Sequence, residues 1–176
     1  MKLEWHQWVG GVAALLVVIF LGLTPYFFSS DTHLQAISAY KDGDFTKASK
    51  IWLDLAKKND PTAQYSLGRM YELGVGVNQN YEKAVYWYER AVKRGNANAQ
   101  GSLAVLLAMG QGIERNLVDS YVMSSLAAYG YDKWSIELRE IALGNRDKVA
   151  LRLNEEQRKL ALAKLDEWRQ FYKKLQ

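Results

Sequence analysis

Leu67-Gly68-Arg69-Met70-Tyr71-Glu72-Leu73-Gly74-Val75-Gly76-Val77, followed by Lys83-Ala84-Val85-Tyr86-Trp87-Tyr88-Glu89-Arg90-Ala91, recurs in weaker form thirty-six positions further along the chain. Ala63 pairs with Ala99, Leu67 with Leu103, Gly74 with Gly110, Gly76 with Gly112, Val77 with Ile113, Asn80 with Asn116 and Ala91 with Ala127. Self-similarity at this period is the mark of a helical solenoid. Within one unit, Ala63, Leu67 and Tyr71 fall on one face of a first helix, with Pro61 suited to its first turn. Gly74 and Gly76 end that helix and shape the turn. A second helix carries Ala84, Trp87, Tyr88 and Ala91 at intervals of three and four, a buried face of small residues between aromatics.

A degenerate unit precedes these two. Its second helix aligns at the same spacing, Ala48 with Ala84, Ile51 with Trp87 and Trp52 with Tyr88. Its first helix is short, around Leu34 to Lys41, and turns at Asp42-Gly43-Asp44. The motif Ala63-x-x-x-Leu67-Gly68-x-x-Tyr71-x-x-Gly74-x-Gly76-Val77, then Lys83-Ala84-x-x-Trp87-Tyr88, resembles a near-complete unit of the SEL-one-like repeat family, relatives of tetratricopeptide repeats. The resemblance covers roughly residues 32 to 130 and departs at Leu103-Ala104, Leu107 and Met123. Asn59 stands where the best unit has Gly95, and asparagine tolerates the left-handed conformation that a helix stop requires.

The expected fold is all-α, a right-handed superhelical solenoid of antiparallel helix pairs preceded by one transmembrane helix. Three parts follow: an N-terminal anchor over residues 1–30, repeats over 31–130 and capping helices over 131–176. Residues 131–176 hold eleven of the 23 Lys and Arg, whereas residues 96–130 carry only Glu114, Arg115 and Asp119. The last helix opens with Asn154-Glu155-Glu156-Gln157, a capping-box pattern, and continues with Leu162, Leu165, Trp168, Tyr172 and Leu175 at helical spacing. An open solenoid needs a polar outer cap, and this helix is the candidate. Two short pieces, Tyr131 to Leu143 and Arg146 to Leu153, are expected to lead into it.

From Trp5 to Ser30 there is no acidic residue, lysine or arginine. The run Trp8 to Phe28 is long enough to cross about 30 Å of hydrocarbon as a helix. Trp5, Trp8 and Tyr26 sit near its ends, where aromatic rings favour the headgroup region. Phe28-Ser29-Ser30 lacks a small-x-small cleavage pattern, which favours an uncleaved anchor over a signal peptide. The free amine, Lys2 and Glu4 before the span, against Asp31, Lys41, Asp42 and Asp44 after it, favour repeats on the side away from the cytoplasm. The expected location is the inner (cytoplasmic) membrane, single-pass, with a periplasmic or extracytoplasmic repeat domain. Gly10, Ala14, Val18 and Gly22 form a ridge of relatively small residues on the span, of the kind that lets transmembrane helices pack closely.

Catalytic chemistry finds no foothold. His6 and His33 flank the apolar run, and neither has zinc-ligand spacing. Asp42-Gly43-Asp44 reads as turn and N-cap chemistry. Gly74-x-Gly76 follows a helix and lacks the remainder of a phosphate loop. Ser124 and Ser125 have no partner histidine, and the absence of cysteine removes disulfides, thiol nucleophiles and thiolate-ligated metals. The net charge of +4 is spread among interleaved acids and bases, as in Glu155 and Lys159, so nucleic acid is not an expected partner. No cofactor, metal or small-molecule substrate is expected. What remains is protein recognition on the side lined by the first helix of each pair. The candidates there are Gln64, Tyr65 and Arg69 in the best unit and Val105 and Met109 in the next. The expected role is a membrane-anchored adaptor or assembly scaffold with protein partners in a membrane-associated complex. The alternative is a permanent accessory subunit of an integral membrane complex, docked through the span; an enzyme acting on envelope polymers is the third and weakest reading.

Overall fold

Capping residues set the frame. Asp44, Asn80 and Asn116 stand thirty-six residues apart, and each side chain accepts a hydrogen bond from the backbone N–H three residues on, at Lys47, Lys83 and Asp119. Asp60 and Asn96 repeat the device on Ala63 and Ala99. Each satisfies one of the orphan donors at a helix start. The computed structural model describes residues 32–132 and 134–175. These form eight α-helices and, among the described residues, no strand: α1 (residues 32–41), α2 (Phe45–Lys57), α3 (Pro61–Leu73), α4 (Tyr81–Val92), α5 (Ala97–Met109), α6 (Leu117–Gly130), α7 (Ile136–Ala150) and α8 (Glu155–Lys173).

Consecutive helices pack as antiparallel pairs, α1 with α2, α3 with α4 and α5 with α6, and each pair stacks on the one before. The loops explain the stacking register. Gly76 and Gly112 have φ of 71° and 68°, and a Cβ at either would overlap the backbone of Phe45 or Tyr81. Those two residues begin the second helix of the preceding pair, so each loop is pressed onto its neighbour at a point where only glycine fits. Asn59, at φ 65°, is the one non-glycine with positive φ among the described residues. It ends its pair in the conformation that Gly95 adopts thirty-six residues later.

The interior divides along the same units. Ala36, Ala39, Trp52, Leu55, Ala63, Leu67 and Met70 build one apolar cluster across α1 to α3. Tyr88, Leu103, Leu106, Leu107, Val122, Met123 and Leu126 build a second across α4 to α6, joined by Ala161 and Leu165 of α8.

The C-terminal part differs from expectation in one way. The two short pieces are one helix, α7, which runs through Gly144-Asn145 without a break. An interior glycine costs about 1 kcal/mol relative to alanine, too little to stop a helix that packs Ala142 and Val149 against its neighbours. The last helix, α8, starts beside the end of α7, where Arg158 donates to the Ala150 carbonyl at 3.1 Å. It packs on α6 and reaches back to α4 and α5, where Tyr172 meets Val92 and Gln100. Its inward line is therefore Ala161 and Leu165, buried, with Trp168 and Tyr172 half-buried, while Leu162 and Leu175 are exposed. The capping box of Asn154 and Gln157 is formed.

No helix among the described residues is long and apolar enough to cross a membrane. The run from Trp8 to Phe28, with Gly10, Ala14, Val18 and Gly22, lies outside the described residues.

Candidate interaction surface

The surface is built from the first helices of the pairs. On α3, Tyr65 lies half-buried with its ring stacked on Tyr88, centroids 6.0 Å apart and planes at 30°. One turn on, Arg69 is exposed, with Nη1 at a long 3.5 Å from the Tyr65 hydroxyl. Partial burial works against the Arg69 charge, but Tyr65, Tyr88 and Glu72 more than offset it and hold its pKa above the ordinary arginine value. Behind it, the Tyr88 hydroxyl donates to Glu72 Oε2. Burial, then that carboxylate, push the Tyr88 pKa well above that of a free phenol. A small cavity of about 160 Å³ opens beside these groups, walled by Tyr40, Trp52, Tyr65, Arg69, Met70 and Leu73.

The surface changes character in the next pair. Thirty-six residues beyond Arg69 and Leu73 stand Val105 and Met109, exposed to 36% and 63%. Between the two sections, Tyr131 closes over α5, its hydroxyl 3.3 Å from where a Cβ on Gly101 would lie. Burial and the neighbouring Tyr65 raise the Tyr131 pKa. A phenol and guanidinium section thus passes into an apolar one, a combination suited to holding a protein segment.

Gln64 does not belong to this surface. It is fully buried and donates from Nε2 to the Ala56 carbonyl at 3.1 Å, tying α3 to the end of α2. Its counterpart Gln100 is equally buried but donates to the Tyr172 hydroxyl at 3.0 Å, and Tyr172 passes the bond on to the Val92 carbonyl at 2.5 Å. Val92 stands thirty-six residues after Ala56. The signal that Gln64 is internal was present in the sequence: the glutamine recurs at the repeat spacing. Nothing in the sequence pointed to Tyr131 or to the insertion of Tyr172.

His33 contacts Asp60, Nε2 to Oδ2 at 3.1 Å, fastening the start of α1 to the cap of α3. Asp42 accepts from Ser38 and Asp44 caps α2, so both serve the turn. Ser124 and Ser125 are buried in α6, with Ser125 bonded to the Tyr121 carbonyl. Among the described residues, no group of histidines and carboxylates is gathered as a metal site would need.

Residues 61–96 and 97–131 each match the family model described as Sel1 repeat. Those two consecutive segments are similar to Sel1 repeats. Such repeats generally mediate protein–protein interaction, on a fold that typically serves as a non-catalytic scaffold. A protective antigen present in uropathogenic Escherichia coli strains and displaying an SLR fold is similar at 20% identity, with a TM-score of 0.73 over 81% of this chain and 30% of that one. That likeness bears on the fold alone. A Sel1 repeat protein from Oxalobacter formigenes shares 32% identity, with a TM-score of 0.52 over 55% of this chain and 40% of its own. The present chain therefore spans well under half the length of either solved chain.

Proposed function

We propose that this Sel1-repeat chain is an adaptor or assembly scaffold, held at the inner membrane by residues 8–28, with residues 31–130 as its recognition domain and residues 131–176 closing the array. The observation that carries the reading is the exposure of Val105 and Met109 beside the Tyr65 and Arg69 section on the first helices. Exposed apolar side chains next to a guanidinium are characteristic of recognition surfaces. The apolar run supports the membrane location, and the charge balance about it supports an extracytoplasmic domain.

The test is recovery of partners from native membranes by the tagged full-length chain and by the Val105→Asp/Met109→Asp variant. The expected result is loss of a stoichiometric protein partner by tenfold or more, about 1.4 kcal/mol per tenfold. The fold should be untouched, because exposed substitutions usually change stability by less than about 0.5 kcal/mol. Equal recovery by both chains would remove this surface from the account. The Gly10, Ala14, Val18 and Gly22 ridge favours a second reading, a permanent accessory subunit docked through its span. Replacing Gly10 and Gly22 by leucine would then release the integral membrane partner while Val105→Asp would not.

A further inference from the structure

The two edges of the helical array carry different charge. One edge gathers the starts of α1, α3, α5 and α7 and the ends of α2, α4, α6 and α8. Contacts trace it continuously: His33 to Asp60 at 3.1 Å, Arg90 to Asn59 at 2.7 Å, Asn96 to the Pro61 carbonyl at 3.4 Å, and Tyr172 to Val92 and Gln100. Along it stand Lys57, Lys58, Lys93, Arg94, Lys173 and Lys174, all exposed, with Arg90 and Arg169 behind them. The carboxylates sharing the edge are Asp54, Asp60, Glu89, Asp132 and, at the start of α7, Glu137 and Glu140, with the cation Arg139 between those two. Two of these are engaged, Asp60 by His33 and Asp132 by the backbone N–H groups of Trp134 and Ser135. Between α5 and α8 the edge opens into a cavity of about 590 Å³ whose charged lining is Arg94, Arg169 and Lys173, with no carboxylate.

Cations also complement the negative end of a helix. That effect does not account for the edge as a whole. If it set the pattern, α3 and α5, which end on the opposite side, would share it, yet neither has a basic residue in its last turn. Of the remaining helices, α6 ends on the basic edge without a last-turn cation, and α1 and α7 end on the opposite side with Lys41 and Lys148. The end of α4 carries three cations within five residues, Arg90, Lys93 and Arg94, more than one dipole requires.

The apolar run stops at Phe28, four residues before α1 begins, and the start of α1 lies on this same edge beside Asp60. We infer that the basic edge docks on an anionic lipid surface, so that the array stands with this edge on the headgroups and its opposite edge, the Gly76 and Gly112 loops, pointing away. The inference rests on the anchor reading proposed above, which brings the edge within a few residues of the bilayer. Each lysine or arginine near an anionic leaflet adds attraction that fades within a Debye length. The side lined by Tyr65, Arg69, Val105 and Met109 then stands roughly upright, open to a partner alongside the membrane.

The chain has no cysteine, so a single one can carry a fluorophore at either edge. Full-length Leu175→Cys and Glu114→Cys, both at exposed positions on opposite edges, are labelled and mixed with vesicles whose headgroups bear a quencher. With about 30% phosphatidylglycerol at low salt, position 175 is expected to be quenched about threefold or more relative to position 114, and the ratio to fall toward one at about 0.5 M salt. The same fall is expected in Lys57→Glu/Lys58→Glu/Lys93→Glu/Arg94→Glu, whose circular dichroism should be unchanged. Equal quenching at both edges overturns the docking. A ratio that persists in the fourfold variant or on phosphatidylcholine alone overturns its electrostatic basis. Sedimentation with phosphatidylcholine vesicles at high salt reports the anchor separately. If that fails, the anchor is lost, and the salt-sensitive ratio on anionic vesicles still decides the edge.

Discussion

The pair α3–α4 and the pair α5–α6 occupy equivalent places in the array and solve the same packing problem with different atoms. In the first, Gly68 leaves room for the Tyr88 ring, and a Cβ there would overlap it. In the second, Ala104 has its methyl group because Ser124 stands where Tyr88 stood. Trp87, with Ile51, Val75 and Val77, packs on the buried cluster of α1 to α3 in the first, while Met123 replaces it in the second. The missing indole is supplied by α8. Trp168 lies over a cavity of about 360 Å³ lined by Leu103, Leu107, Ile113 and Met123, and Tyr172 enters the hydrogen bond that Gln64 makes unaided in the first pair. Lys164 pairs with Asp119 at 2.6 Å and sets the helix in place. A repeat that has lost its own aromatics is thus completed by a helix whose contact from Lys164 to Asp119 spans 45 residues of sequence, and the two units depend on different parts of the chain.

The largest expected effect tests what the units still share. Gly76→Ala and Gly112→Ala each force a Cβ into backbone at positive φ. Conformational strain and overlap together should cost about 3 kcal/mol or more, equally in both units, by urea denaturation. A cost below about 1 kcal/mol at either glycine would show that its loop can lift off the preceding pair.

Next comes the dependence on α8. Trp168→Ala should cost about 2–3 kcal/mol, below the value for a fully buried tryptophan because the side chain is only half-buried. Hydrogen exchange should speed in α5, α6 and α8 while α1 to α3 keep their protection. Trp87→Ala should have the converse distribution, exposing α2 to α4 first. Uniform loss of protection in both variants would make the array one cooperative block and erase the distinction between its units.

These differences also mark what sequence could reveal. Helix starts at Asp44, Asn80 and Asn116 and the glycine loops are local devices, each legible from a few residues and repeated at a fixed spacing. Arg69, Val105 and Met109 were legible as exposed positions of their helices for the same reason, whereas Tyr65 is half-buried against Tyr88. Gln64 was misplaced because an amide is usually a surface group, and its partner, the Ala56 carbonyl, belongs to the backbone and leaves no trace in composition. The position of α8 was illegible for a physical reason. Trp168 and Tyr172 announce a buried face, but only the vacancies left by Met123 and Ser124 decide which helices that face meets, and a missing aromatic attracts no notice until the repeats are superposed. Gly144 misled in the opposite direction, since packing on α6 carries α7 through it.

A smaller effect separates the two glutamines. Tyr172→Phe removes the hydroxyl that relays Gln100 to the Val92 carbonyl, at an expected cost of about 1 kcal/mol. Gln100 can then turn toward Val92 as Gln64 does toward Ala56, which keeps the cost near the low end. The Tyr172→Phe/Gln100→Leu double variant measures the coupling, expected near 1 kcal/mol, by a double-mutant cycle. Strict additivity would mean that the relay adds nothing.

The smallest effect concerns pH and draws on both units at once. Burial raises the pKa of Tyr88 in the first and of Tyr172 in the second, Glu72 adding to the first and Gln100 opposing the second. A raised phenol holds its proton in the folded chain at a pH where the unfolded chain, near its ordinary value of about 10, releases it. The stabilisation is therefore complete below pH of about 10 and is lost as pH rises above it. The slope can reach about 1.4 kcal/mol per pH unit for each such tyrosine. Half a unit above the threshold the loss should stay below about 1 kcal/mol per ring. Urea midpoints between pH 9 and 10.5 should fall for the native chain, less for Tyr172→Phe and less again for Tyr88→Phe, because Tyr88 is more deeply enclosed and faces a carboxylate. Identical slopes in all three chains would show that neither phenol is held more tightly than in the unfolded state, and the Tyr88 bond to Glu72 would lose its place as the electrostatic signature of the intact unit.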